Sequence, residues 1–375
     1  MRETHRYVGS LLFLNMSSDL LILDSHCDTA SQLCRGRDMS VEEPHSHVDI
    51  PKMLRGGVGA MFFAAYSPAS LKGESATNYA KQLLRLTESM VESRPDVLAL
   101  AKSADDIRNN HTKGLISILL AIENGEPICD SLELLHQFYD MGVRYMTLCH
   151  SADNLICDSC ASSDPRWNGL SPFGKDVVKE MNSLGMLVDV SHISDKSFYD
   201  VLETSSRPVV ATHSCCRALA HHPRNMTDEM IRKLAEAGGV IQVNFYPVFL
   251  DDGFAERYAA GKWGDKCDEA EEPFIKNPSS PVNRKRWYDF LDLMYASLDR
   301  TPYERIVDHI DHIVELVGID YVGIGSDFDG ISVAPHGMED VSCISKVFDE
   351  MRRRGYSEEE ISKVASGNFL RIFAA

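Results

Sequence analysis

Eight short apolar runs recur along this chain, at residues 20–23, 58–65, 115–122, 145–148, 186–190, 208–211, 239–243 and 321–324. Continuous apolar runs of this length suit parallel strands buried on both faces. Helical patterns fall between them at 80–91, 131–141, 175–184, 228–237 and 303–317. Strand and helix repeated in this way give an α/β protein that closes on itself, a (β/α)8 TIM barrel. No G-x-G-x-x-G turn supports a doubly wound open sheet instead. The 375 residues suit one barrel domain carrying an insertion. The rhythm breaks at 248–301, a charged stretch that holds Trp263, Pro281 and Trp287. In a βα loop this insertion lands on the catalytic face as a lid or substrate-selecting cap. A solvated excursion or an oligomer contact is the alternative.

Composition excludes several classes. The net charge is −18 and no basic stripe stands out, so nucleic acid is not an expected partner. No run approaches the roughly 18 apolar residues of a membrane span. Ten cysteines are scattered, and neither Cys157-x-x-Cys160 nor Cys215-Cys216 has a matching second pair. Reduced thiols are expected rather than a structural zinc site or disulfides. The apolar stretch 7–14 has no small-residue cleavage site after it, so a cytoplasmic protein is expected rather than an exported one.

Polar residues stand at the ends of the apolar runs. Leu21-Ile22-Leu23 leads to His26-Cys27-Asp28, Ala121-Ile122 to Glu123, Leu148-Cys149 to His150, Val190-Ser191 to His192, Ala211-Thr212 to His213, and Gly325-Ser326 to Asp327. In a barrel these ends meet at one mouth. On a strand, His26 and Asp28 share a face. Each residue alone has an ordinary reading: H-x-D occurs by chance, a carboxylate pairs with a cation, a histidine satisfies a core hydrogen bond. Together they supply His26, Asp28 and Glu123 for one cation, and Glu123, His192 and His213 for a second, with Glu123 bridging. Asp327 is placed to move a proton, and His150 to donate a hydrogen bond to a developing oxyanion or to serve the core. Asp329 reads as a turn cap. Arg224, in Pro223-Arg224-Asn225, offers a guanidinium fork for a substrate carboxylate, against the reading of a solvated loop residue.

The same residues sit in stretches that carry a resemblance: Asp24-Ser25-His26-Cys27-Asp28, His47-Val48-Asp49-Ile50-Pro51-Lys52, Ala121-Ile122-Glu123-Asn124-Gly125, Val188-Asp189-Val190-Ser191-His192, Thr212-His213-Ser214, Val243-Asn244-Phe245-Tyr246 and Gly323-Ile324-Gly325-Ser326-Asp327. The chain resembles the membrane (renal) dipeptidase family of zinc peptidases, bacterial members included. The resemblance implies a barrel of metal-dependent amidohydrolase type holding two Zn2+ ions per chain. It implies His26 and Asp28 on one ion, His192 and His213 on the other, Glu123 bridging, and Asp327 handling protons. His150, Arg224 and Tyr246 are the implied substrate contacts. The implied activity is hydrolysis of a dipeptide, including one with a C-terminal D-residue, by metal-activated water, in a homodimer. The insertion at 248–301 is longer than in the animal enzymes. The C-terminal Arg371-Ile372-Phe373-Ala374-Ala375 carries no hydrophobic tail, so no membrane anchor is expected. An amidohydrolase acting on a cyclic amide or lactone is the competing enzyme, and a catalytically inactive metal-binding barrel the competing non-enzyme.

Overall fold

Eight parallel strands form the nearly closed barrel, in a computed structural model that describes residues 20–375. The expectation for 7–14 therefore lies outside the described residues. The strands are β1 (Ile22–Cys27), β2 (Val58–Tyr66), β4 (Ile116–Glu123), β5 (Val143–Thr147), β6 (Leu187–Asp189), β7 (Val210–Ser214), β8 (Val240–Val243) and β9 (Val322–Ile324). A further short strand, β3 (Leu98–Leu100), pairs with the start of β4 outside the barrel path. The β9–β1 seam is held by loop groups: Asp28 N–H donates to Phe328 O at 2.9 Å, and Asp327 N–H to His26 O at 3.1 Å.

Alternation along the strands divides the core in two. Leu23, Phe62, Ala121, Tyr145, Leu187 and Val240 belong to a packed interior, which Phe369 and Ile372 also join. Phe62 lies 5.3 Å from the Phe369 ring and 5.0 Å from Tyr145. Each such side chain contributes roughly 1.5–3 kcal/mol by leaving water, so this end of the barrel is a filled plug. The opposite strand faces pack under the helices in a second, larger cluster. The expected helices are present, among them Glu74–Ser93, Pro172–Leu184, Asp228–Glu236 and Glu304–Val317.

Helical segments make up most of the insertion: Pro247–Leu250, Asp252–Ala260, Trp263–Lys276 and Pro281–Ser297. They share a small core of Phe254, Tyr258, Cys267, Leu291 and Met294 with Val333. The loops that follow β1 clasp them. Arg35 pairs with Glu271 at 2.6 Å, His45 with Asp292 at 3.0 Å, and the Tyr288 hydroxyl donates to Glu43. All ten cysteines are free thiols. Among the described residues no helix is long and apolar enough to cross a membrane.

Candidate metal centre

Pairing register sets the rim: Tyr66 lies beside Glu123, Glu123 beside Thr147, and Thr147 beside Asp189. Beyond these strand ends the backbone is forced into unusual conformations. Asn124, His192, Asp327 and Asp329 all take positive φ without being glycine. Strain of this kind costs on the order of 1–3 kcal/mol and collects where side chains must be aimed.

The expected residues converge on Glu123. Its Oε1 lies 3.0 Å from His192 Nε2, 3.3 Å from His213 Nε2 and 3.8 Å from His150 Nε2, while its Oε2 lies 3.5 Å from His26 Nε2. His26 Nε2 is also 3.5 Å from Asp28 Oδ2 and 3.9 Å from Asp327 Oδ1. Among the described residues three groups could each hold a cation, their ligand atoms within 4.8 Å of one another: His26, Glu123 and His213; Glu123, His150 and His192; His26, Asp28 and Asp327. The five expected ligands thus lie together, and His150 and Asp327 lie with them. Asp28 reaches the site by a route the strand pattern did not foresee. β1 ends at Cys27, and Asp28 leads into the helix Thr29–Cys34 at φ −98° and ψ 19°.

Hydrogen bonding behind the cluster fixes which ring nitrogens face it. The Tyr145 phenol donates to Ser25 O at 3.0 Å, so its oxygen accepts from His26 Nδ1–H at 2.7 Å. Thr212 Oγ1 donates to Asp189 Oδ2 at 2.7 Å and accepts from His213 Nδ1–H at 2.8 Å. Both rings therefore turn Nε2 toward carboxylate oxygens, and His213 Nε2 also lies 2.9 Å from His192 Nε2. Lone pairs facing carboxylates in a buried site repel, and His26 Nε2 and Asp28 Oδ1 have no hydrogen-bond partner among the described residues. A positive charge between them resolves the conflict, and His and carboxylate donors are what a borderline divalent ion takes. Outer hydrogen bonds that orient ligand imidazoles are the usual companions of such sites.

Charge states agree with that demand. Burial opposes charge on His26, yet Glu123 and Asp28 outweigh it and push the ring well above its ordinary range. Burial, together with Arg224 and neighbouring histidines, drives His192 and His213 well below theirs and keeps them neutral. Burial lowers His150 to about 4. Asp28 is raised to about 6 by burial and by Glu123, and Asp327 to about 6 chiefly by burial.

The remaining expected residues border the cluster. Arg224 is 5% exposed, so it is no solvated loop residue. It donates to Ser214 Oγ at 2.7 Å and His213 O at 2.6 Å, while its Nε has no hydrogen-bond partner among the described residues. Asp327 accepts from Asn244 Nδ2 at 2.8 Å. Tyr246 sits between this rim and the insertion, its hydroxyl 3.2 Å from Ser332 Oγ. Asp329 is not a turn cap. It accepts from Thr29 Oγ1 at 2.8 Å and His47 N–H at 3.0 Å, tying the β9 loop to the loops after β1. Sequence reasoning passed over Tyr66, whose ring meets His150 edge-on at 4.7 Å, and over the supporting Tyr145, Asp189, Thr212 and Asn244. Asp189 had one signal, a carboxylate inside an apolar run.

A family model, membrane dipeptidase (peptidase family M19), matches residues 13–375. The chain belongs to the membrane dipeptidase family. Like its relatives it is a metallo-dipeptidase, a hydrolase of peptide bonds. The dipeptidase tcpJ of Claviceps purpurea is 32% identical over 335 residues, 87% of this chain and 68% of that protein. Among solved structures, a metallo peptidase from Rhodobacter sphaeroides liganded with a phosphinate mimic of L-Ala-D-Ala superposes with a TM-score of 0.78. It is 25% identical and covers 94% of this chain and 98% of its own. The probable dipeptidase PvdM of Pseudomonas aeruginosa gives 0.80 at 28% identity, covering 96% of each chain. A metal-binding barrel of the membrane dipeptidase type is thus what the rim cluster belongs to.

Proposed function

We propose that this metallo-dipeptidase works with two zinc ions bridged by Glu123, and that it accepts dipeptides ending in a D-residue. His26 and Asp28 would hold one ion, and His192 and His213 the other. The chemistry such ions supply when bound is acidification of water and polarisation of a carbonyl. The chain's own residues do the rest. Asp327 takes a proton at Oδ1 and returns it to the leaving amine, its Oδ2 held still by Asn244. His150 donates through its ring to the carbonyl oxygen as charge develops there. Arg224 fixes the substrate carboxylate with the donors its bonds to Ser214 and His213 leave over. The insertion at 248–301 caps the mouth and limits substrate length.

One observation carries this reading: the Nε2 atoms of His26, His192 and His213 converge on the oxygens of a single buried carboxylate, an arrangement that a cation or added protons must balance. The ligand of the Rhodobacter sphaeroides relative, a mimic of L-Ala-D-Ala, supports the D-residue. The test combines metal analysis with kinetics on L-Ala-D-Ala and L-Ala-L-Ala. Two zinc equivalents are expected, with activity lost to chelator and regained on adding zinc. Cleavage of cyclic amides or lactones but of neither dipeptide would overturn the substrate assignment. Two tightly held ions and full activity in Glu123→Gln would overturn the bridge.

A further inference from the structure

A cavity of about 600 Å³ lies between the insertion helices and the loop at 43–47. That is the size of a pocket for a drug-sized ligand, more than a dipeptide of small residues needs. Gly330 stands between it and the metal centre. This glycine lines the cavity, and a Cβ added to it would stand 2.1 Å from Asp28 Oδ2 and 2.6 Å from Asp327 Oδ1. Tyr246 borders the cavity on the β8 side. One glycine thus separates the cavity from the carboxylates of Asp28 and Asp327.

Its walls are aromatic and its charge is negative. Phe274, Tyr258, Trp287 and Tyr288 line it, and the acidic side chains of the lining outnumber the guanidinium of Arg37. That guanidinium is occupied: it bonds Ser46 Oγ and Val48 O and lies 3.5 Å from Asp329. Among the other acids, Asp292 answers His45 and Glu271 answers Arg35. Asp268, on the helix Trp263–Lys276, differs. It is exposed, lines the cavity, and has no hydrogen bond or ion pair among the described residues. It is also near enough to Tyr66, across the mouth, to add to the upward push on that phenol. A free carboxylate in a cavity lined by aromatic rings attracts an ammonium or guanidinium through ion pairing and cation–π contact, and repels a side-chain carboxylate.

Arg224 stands beyond β7, whereas the cavity lies against the loops after β8, β9 and β1. With the substrate carboxylate at Arg224, the side chain left to enter the cavity is that of the N-terminal residue. We propose that the cavity under the insertion is the pocket for the N-terminal side chain of the dipeptide, and that it selects lysine or arginine there with Asp268 as counter-charge. This rests on the dipeptidase reading above.

The experiment compares kcat/KM of the metal-loaded enzyme on Lys-Ala, Ala-Ala and Glu-Ala. The expected order is Lys-Ala, then Ala-Ala, then Glu-Ala. Asp268→Asn should lower the Lys-Ala to Ala-Ala ratio by about fivefold, the scale of one solvent-accessible ion pair, and Asp268→Lys should bring Glu-Ala above Lys-Ala. A ratio that stays put in both variants while Ala-Ala is turned over overturns the pocket and leaves the dipeptidase reading standing. If no dipeptide, Ala-Ala included, is cleaved, it is the dipeptidase reading that fails. The pocket is then decided by titrating lysinamide and following tryptophan fluorescence, with Trp287→Phe identifying the reporter. A saturable change that weakens in Asp268→Asn supports it, and none overturns it.

Discussion

The imidazole of His26 hangs by Nδ1 from the phenol of Tyr145, 2.7 Å away, and so presents Nε2 to Glu123 and Asp28. The phenol spends its own hydrogen on Ser25 O, which leaves it only the acceptor role toward the ring. Tyr145→Phe keeps the packing of this buried ring against Phe62 and deletes that acceptor. His26 is then free to rotate or change tautomer. Zinc affinity is expected to fall by about 10–100-fold, the usual effect of losing an orienting partner behind a ligand. Competition with a chelator of known affinity measures it. Unaltered affinity in a folded variant would show that Tyr145 does no more than pack.

Gly330 is held against two carboxylates, and a methyl group there overlaps an oxygen of each. The overlap at 2.1 Å with Asp28 Oδ2 forces one of the two apart. Gly330→Ala is expected to lower kcat/KM on Ala-Ala by about 10²-fold, the order of loss that follows a displacement near 1 Å at a reacting group. Thermal stability should change far less, because the turn is open on its cavity side. Steady-state kinetics beside a melting curve separates the two effects. Wild-type kinetics in this variant would mean that Asp28 yields without consequence.

Much of this site was legible because a strand buried on both faces leaves an unbroken apolar run. A histidine or carboxylate closing such a run must be answered by something at the mouth. That logic located His26, Glu123, His150, His192, His213 and Asp327. It did not reach β3, whose three residues are too short a run to stand out. The supporting residues were hidden differently. Tyr145 and Thr212 read as ordinary members of apolar strands, and only the closed barrel brings Tyr145 to His26, 119 positions earlier in the chain. The insertion announced itself by charge, but its clasp through Arg35 and Glu271 joins positions 236 apart and has no local signature.

Arg224 makes a different kind of prediction, because its guanidinium holds the protein and, in the proposed function, the substrate as well. Two terminal nitrogens hold Ser214 Oγ and His213 O. A lysine has one nitrogen and cannot hold both while facing a carboxylate. Arg224→Lys is expected to raise KM for dipeptides by roughly 10–100-fold, the equivalent of one hydrogen bond to a charged group, about 1.5–3 kcal/mol. Dipeptide amides, which lack the carboxylate, should be affected much less. A parallel loss on acids and amides would show that the arginine acts only through the position of His213.

Away from the metal centre, His309 couples stability to pH. It is buried: its Nδ1 accepts from Cys216 N–H at 3.0 Å and its Nε2–H donates to Leu250 O at 3.1 Å. The Nδ1 bond requires the neutral ring, the Nε2–H bond to Leu250 O favours the charged one, and burial outweighs the latter and lowers the ring from 6.5 to about 4. In the unfolded chain the same histidine takes up a proton near 6.5. Between about 6.5 and 4 the unfolded state therefore binds more protons, and stability falls as pH falls. Above 6.5 the contribution is fully present, and below about 4 both states are protonated and the loss stops growing. The gap corresponds to about 3 kcal/mol. Gln at this position can make both hydrogen bonds and does not titrate. Urea unfolding at several pH values between 7 and 4 should show a smaller acid loss for His309→Gln than for the parent by that order. The other buried histidines, and any metal, contribute equally to both proteins, so the difference isolates His309. Parallel profiles would mean that the ring is already protonated in the folded state, or that the unfolded state shields it.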